Sequence, residues 1–374
     1  MKILYTATVL SHICQFHLPY LQMLQARGNE VHVAAHDNLA EKNGLQLQYC
    51  DRFTEVPFAR SPKSPDNLRA YRELKVLLDR EHYDVILCNT PMGGIVTRLA
   101  ARKTRKQGTR VLYMAHGFHF YKGASKKNWL VFYPIEKFMS RFCDTVITIN
   151  EEDYALAKAK FRHTQVEHIH GIGVRTDRYH PATSEERAEM RRAEGLAETD
   201  FAVLCTGELN KNKNQKTLIS AAAKLKCRVP NLKVLLAGNG PLEAELRAQI
   251  DELGLADAVK LLGYRTDLEK VVPAMDVIVS CSRREGLPLN VIEAMLCKKP
   301  MVASANRGHN ELVAEGETGY ILSPEDAEGF ADRIEALAND EALRERMGEA
   351  AYERALLYTV AAVQDKLRGI LCPD

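Results

Sequence analysis

The sequence predicts an α/β protein made of two doubly wound parallel sheets, and three observations carry that expectation. Short β-rich runs alternate with amphipathic helical patterns along all 374 residues, the signature of strands joined by crossover helices. The length exceeds what one hydrophobic core accommodates, so two compact domains are expected. The pattern breaks once, after Gly171-Ile172-Gly173-Val174, where a charged stretch, Thr183–Asp200, precedes the next buried run.

In chain order, strands are expected in the first half at Lys2–Val9, Glu30–Ala35, Asp84–Cys88, Arg110–Ala115 and Asp144–Ile149. In the second half they are expected at Phe201–Thr206, Leu232–Ala237, Val259–Leu262, Asp276–Ser280, Pro300–Ala303 and Tyr320–Leu322. Helical spacing fills the gaps at Phe16–Arg27, Asp66–Arg80, Gln215–Arg228, Pro241–Leu253, Val291–Lys299 and Pro324–Asn339. The first domain is therefore set at residues 1–174 and the second at 175–354, with the helical tail 355–374 returning to brace the first. In such sheets ligands sit beyond the carboxyl ends of the strands, so a groove between two of them is the expected active site.

Composition narrows the function classes. The formal charge is +2, from 51 basic and 49 acidic residues, which provides no global field for coating nucleic acid. Nine cysteines stand singly without a CxxC pair, as in a reduced, cytoplasmic protein. The apolar start MKILYTATVL is interrupted by His12, Gln15 and His17, and no window of 18 apolar residues follows, so no transmembrane span is expected.

The strongest local signal follows the run Asp276–Ser280. Gly286 permits a tight turn, Leu287 leads into Pro288 at the expected first helical position, and the amides of Leu289, Asn290 and Val291 then point outward as a pyrophosphate cradle. Glu285 and Glu293 flank it and could accept hydrogen bonds from sugar and ribose hydroxyls; without that context they read as a helix-dipole charge and a solvated face residue. A second loop, Gly207-Glu-Leu-Asn-Lys211-Asn-Lys213-Asn214, places lysines where a diphosphate leaving group develops charge. Gly238 and Gly240 form a glycine-rich strand-to-helix turn suited to close ligand approach.

Glu285 and Glu293, with seven residues between them and followed by Gly319-Tyr-Ile-Leu, resemble the E-x7-E signature of family 4 of the retaining glycosyltransferases. The likeness spans essentially the whole chain, and the N-terminal half, with Ala115-His-Gly-Phe-His-Phe-Tyr-Lys-Gly123, is similar to the subgroup that builds bacterial exopolysaccharide and capsule repeats. The resemblance implies the GT-B fold, a nucleotide-sugar donor with UDP favoured, a saccharide or lipid-linked acceptor, and no metal. It assigns Glu285, Lys213 and His116 as catalytic, Arg265 to the nucleotide base, and Ser11, His12, His119 and Lys122 to the acceptor side. Glu208 stands where the family usually has arginine, so either Lys211 substitutes or Glu208 turns aside.

No Asp-x-Asp or His/Cys ligand spacing marks a metal site. The segment Tyr121–Pro134 combines three lysines with Trp129 and other aromatics, a composition suited to the inner face of an anionic membrane. Its rival reading is ordinary core, since Ile135, Phe138, Met139 and Phe142 recur at helical spacing. Two functional alternatives stand beside transfer: a nucleotide-sugar 2-epimerase of the same fold, and an inactive partner subunit.

Overall fold

The computed structural model describes residues 1–41 and 44–373. The chain forms two compact units, Met1–Ile172 with Val363 onward, and Gly173–Ala362. These divisions compare with the 174/175 and 354/355 divisions expected.

The first unit holds a seven-stranded sheet in the order β3-β2-β1-β4-β5-β6-β7. Its strands are β1 (Lys2–Val9), β2 (Glu30–His36), β3 (Arg52–Glu55), β4 (Val85–Asn89), β5 (Arg110–Ala115), β6 (Thr145–Thr148) and β7 (Gln165–His168). The edge strands β3 and β7 escaped the sequence reading because RFTE and QVEH are polar and only partly buried. Another difference lies at β1, which passes into the helix Leu10–Phe16 without a turn, and Leu18–Ala26 follows. The helix expected over Phe16–Arg27 is thus Leu18–Ala26, and the helix Leu10–Phe16, separated from it by His17, was not anticipated.

The second unit holds a six-stranded sheet ordered β10-β9-β8-β11-β12-β13. Its strands are β8 (Phe201–Thr206), β9 (Leu232–Ala237), β10 (Val259–Gly263), β11 (Val277–Ser280), β12 (Met301–Ser304) and β13 (Gly319–Leu322). Phe201, Val203 and Cys205 pack into one core cluster and Ala202 and Leu204 into another, so β8 is buried on both faces, as parallel strands under crossover helices must be. Among the described residues, the strand pairings in both sheets are parallel. These are the two doubly wound sheets that the sequence predicts.

The last helix, Val360–Leu371, returns to the first unit. Gln364 donates to the Pro19 carbonyl at 2.8 Å, and Arg110 donates to the carbonyls of Ile370 and Leu371 at 2.8 and 3.1 Å. Leu367 and Leu371 are fully buried there. In each sheet the strand order reverses once, between β1 and β4 and between β8 and β11. Loops leaving the carboxyl ends of those strands diverge and leave room for a ligand.

Candidate active site

In the second unit, β8 ends at Thr206 and its loop is laced to the turn after β9. Gly207 donates to Ala237 at 2.9 Å, Leu209 to Asn239 at 2.9 Å, and Leu242 to Leu209 at 3.0 Å. Gly238 has φ +150°, and a Cβ there would stand 2.0 Å from the Gly207 carbonyl oxygen; one at Gly240 would stand 2.4 Å from that of Leu209. Loop-on-loop packing by itself therefore accounts for both glycines.

The Asn210 side chain accepts from the amides of Asn212 and Lys213 at 3.0 and 2.9 Å, an Asx turn that fixes where Lys213 starts. The aliphatic part of that lysine passes Gly207, whose Cβ would meet Lys213 Cε at 3.0 Å. Its ammonium then forms a 2.8 Å ion pair with Glu285 Oε1, the two side chains 21% and 15% exposed. Glu208 is exposed and accepts from Asn210 Nδ2 at 2.9 Å. Lys211, also exposed, lines a separate cavity of about 310 Å³ with Lys216 and Arg283.

The loop after β11 is stitched to the first by Arg283 N–H to Asn212 O at 2.8 Å and Asn212 Nδ2 to Arg284 O at 3.0 Å. The following helix begins at Leu289, with Pro288 as its cap at φ −78°, ψ 114°. Pro288 thus lies one position earlier than expected. Val291 donates back to the Pro288 carbonyl at 3.2 Å, so the expected three-amide cradle reduces to Leu289 and Asn290. Asn290 Nδ2 anchors this helix start to Thr206 Oγ1 at 3.0 Å. Leu287 and Leu289 pack against the core below, which lifts Glu285 and Gly286 to the rim.

The two carboxylates have different surroundings. Glu285 faces Lys213, whereas burial pushes Glu293 up to about 7, opposed by Arg178 and by a hydrogen bond from Tyr179. Arg265 departs from its expected role. Its Nη1 and Nη2 bond Glu194 at 3.0 and 2.8 Å and its Nε and Nη2 bond Asp267 at 2.7 and 2.8 Å, so it clamps the loop after β10 onto the helix Ser184–Ala193. The fork of donors that would read a base is already engaged.

Sequence reasoning missed His309. It is fully buried, its Nδ1 lies 2.7 Å from the Ser304 carbonyl, and its Nε2 has no hydrogen-bond partner among the described residues. Both Glu285 and Lys213 are close enough to perturb it electrostatically, although burial dominates and lowers its basicity. The only signal was its position five residues beyond β12.

In the first unit β5 delivers His116, whose Nε2 lies 3.2 Å from Asn89 Oδ1 and 3.2 Å from His12 Nε2. His17 Nε2 lies 3.4 Å from His12 Nε2. A histidine cluster that no sequence spacing announced is therefore assembled by the fold. Burial, the largest cause for each, depresses His12 to about 4 and holds His17 and His116 well below the ordinary 6.5.

His12 also lines a cavity of about 670 Å³ with Ser11, Arg60, His119, Phe132 and Glu136 among others. Ser11 is buried and exchanges bonds with Asn38 at 3.0 Å through its amide and its hydroxyl. His119 is exposed and stacks on Phe132, with centroids 4.7 Å apart. Lys122 is exposed and does not line this cavity; its amide is held by Glu152. At the cavity floor, Glu136 pairs with the fully buried Arg98 at 3.1 Å while the Arg98 guanidinium lies 3.9 Å from the Tyr113 ring centroid, a network the sequence did not reveal.

The helix Lys126–Met139 corrects the core reading of its segment. Met139 is buried, but Leu130, Val131, Ile135 and Phe138 are 77%, 43%, 41% and 53% exposed. Trp129 is partly buried and donates to the Tyr121 carbonyl at 3.1 Å. No helix of the described residues is long and apolar enough to cross a membrane.

Comparison with known proteins decides what scaffold this is. Residues 20–178 match the family model "Glycosyltransferase Family 4", and residues 186–354 match "Glycosyl transferases group 1". Over 370 residues, 99% of this chain and 96% of the relative, the sequence is 43% identical to EpsD of Bacillus subtilis. The chain belongs to family 4 of the glycosyltransferases. Another relative of this glycosyltransferase is the UDP-Gal:alpha-D-GlcNAc-diphosphoundecaprenol alpha-1,3-galactosyltransferase of Escherichia coli, 26% identical over 74% of this chain and 72% of that one. The GT-B fold is shared with HepE of Anabaena, whose structure in complex with UDP and glucose matches with TM-score 0.80 at 23% identity, covering 99% of each chain. It is shared also with WaaG, a glycosyltransferase involved in lipopolysaccharide biosynthesis, with TM-score 0.74 at 16% identity over 100% of each chain.

Proposed function

We propose that this family 4 glycosyltransferase moves a hexosyl group from a UDP-sugar to a saccharide acceptor, lipid-linked, with retention of configuration and without a divalent cation, in cell-surface polysaccharide synthesis. The observation that carries the reading is the Lys213–Glu285 ion pair at 2.8 Å, set beside the first turn of the helix Leu289–Leu296. The E. coli relative's name supplies the UDP donor and diphosphoundecaprenol-linked acceptor by analogy.

In this reading Glu285 accepts from sugar hydroxyls and holds the Lys213 ammonium in place, leaving further N–H donors on that ammonium for the phosphates. Those donors, the amides of Leu289 and Asn290 and the positive end of the helix stabilise the departing diphosphate. The C1–O bond to phosphate breaks with its electron pair going to the phosphate oxygen. The acceptor oxygen bonds C1 on the same face, and its proton passes to the phosphate oxygen just released. His116, neutral at physiological pH, serves as a hydrogen-bonding group for the sugar or acceptor.

The test is a screen of UDP- and GDP-sugars with and without a saccharide-lipid acceptor. Lys213→Ala and Glu285→Gln are expected to lower kcat by about 10²–10³ while chelator leaves the native rate unchanged. Unchanged turnover in both variants would remove this donor site, and conversion of the donor without acceptor would mark an epimerase.

Peripheral contact with the inner face of an anionic membrane completes the proposal. Leu130, Val131 and Phe138 stand exposed beside the exposed Lys126, Lys127 and Lys137, an amphipathic surface of the kind that lies in a headgroup layer.

A further inference from the structure

Three imidazoles converge beyond the carboxyl ends of β1 and β5. His12 comes from the helix Leu10–Phe16, His17 from the break before Leu18–Ala26, and His116 from the residue after β5. Their ligand nitrogens all lie within 4.8 Å of one another, and the rings sit 4.5, 5.3 and 5.4 Å apart, steeply inclined to one another. Tetrahedral zinc, with Zn–N near 2.0–2.1 Å, sets ligand nitrogens about 3.3 Å apart. The His12–His116 and His12–His17 separations are 3.2 and 3.4 Å.

We propose that His12, His17 and His116 form a site for a divalent transition-metal ion of the zinc class, bound through three Nε2 atoms with a fourth position open.

Hydrogen bonding alone serves this cluster poorly. A proton on His12 Nε2 satisfies one of its two short contacts, whereas a cation takes all three lone pairs at once. Burial keeps the rings neutral, and Arg60 further depresses His12; neutral imidazole is the ligating form. Access exists because His12 lines the 670 Å³ cavity. Asn89 Oδ1, 3.2 Å from His116 Nε2, is an oxygen at hand for the fourth position.

Two features make the ion exchangeable. His17 Nδ1 has no hydrogen-bond partner among the described residues, so the acceptor that usually orients a ligating histidine is missing. Arg60 also lines the cavity and repels a dication. One consequence rests on the proposed function: an ion that occupies the His116 Nε2 lone pair removes that group from sugar transfer, so metal binding inhibits reversibly.

The experiment titrates the full chain, stripped by chelator, with Co²⁺ alone. Expected are a visible ligand-field band of tetrahedral intensity at one ion per chain, its displacement by Zn²⁺, and a rise in Tm with Zn²⁺. His12→Gln and His17→Gln should each weaken binding at least about 10-fold, and His119→Gln should not. If His17→Gln fails to fold by circular dichroism, His12→Gln at the cavity wall carries the comparison. No band up to millimolar Co²⁺, or a band that survives both cluster variants, overturns the site. A band with the expected variant effects but no Zn²⁺ inhibition keeps the site and instead removes His116 from the transfer reaction.

Discussion

Glu293 is the residue whose chemistry burial changes most legibly. Its carboxyl is raised from 4.5 to about 7, so the folded state favours the protonated acid and the unfolded state the carboxylate. Stability contributed by the neutral form is present below pH 4.5 and is lost as pH rises through about 7. Replacing the acid with its neutral isostere should remove that loss. Glu293→Gln is expected to stabilise the fold relative to wild type at pH 8, by on the order of 3 kcal/mol, and to leave stability nearly unchanged at pH 4, as followed by denaturant unfolding at the two pH values. Gly238 works through space instead of charge. Gly238→Ala drives a methyl toward the Gly207 carbonyl at a left-handed φ, and a loss of at least about 2 kcal/mol in denaturant unfolding is expected.

At the scale of elements, the donor loop depends on a helix that the sequence reading passed over. Arg307–Leu312 follows β12, and a Cβ on its Gly308 would stand 2.8 Å from Pro288 Cδ and 2.9 Å from the Gly286 carbonyl oxygen. That contact presses the turn carrying Glu285 into place. Gly308→Ala should therefore raise KM for the donor by about 10-fold or more, because a small displacement of a positioning loop weakens every bond it directs. Steady-state kinetics alongside a melt separates this from general unfolding, which would lower active enzyme without moving KM. The histidine cluster is an element-scale feature too, since a helix, the break that follows it and a strand end supply it. His17 and His116 are neutral in the fold, whereas unfolded histidine takes a proton below 6.5. Below that pH the unfolded state binds more protons, so stability should fall steadily from pH 6.5 toward 4; a flat Tm across that range would contradict the burial of these rings.

At the scale of the whole molecule, the return of the C-terminal helix ties the end of the chain to the first unit. Deleting residues from Val363 onward removes the fully buried Leu367 and Leu371 and the two carbonyls that Arg110 grips. Two leucines of this kind contribute roughly 3–6 kcal/mol by burial. The expected outcome is a calorimetric trace in which the transition of the first unit drops or vanishes, while that of the second, which contains none of the deleted residues, stays in place.

The sequence by itself determined the two parallel sheets and most of their strands, because a strand buried on both faces must be an apolar run and a crossover helix must carry an amphipathic face. It also determined the loops that matter in the second unit: Lys213 and Glu285 were legible because both follow a buried strand within a few residues. Tertiary structure decided what local pattern does not encode. It spent Arg265 on Glu194, 71 positions away, placed Gly238 and Gly240 against another loop, and turned Ile135 and Phe138 outward where their spacing had suggested core. It joined His12 and His17 to His116, 104 positions from His12. Each of these outcomes depends on which distant groups share a small volume, a property of strand order and packing that neighbouring residues do not carry.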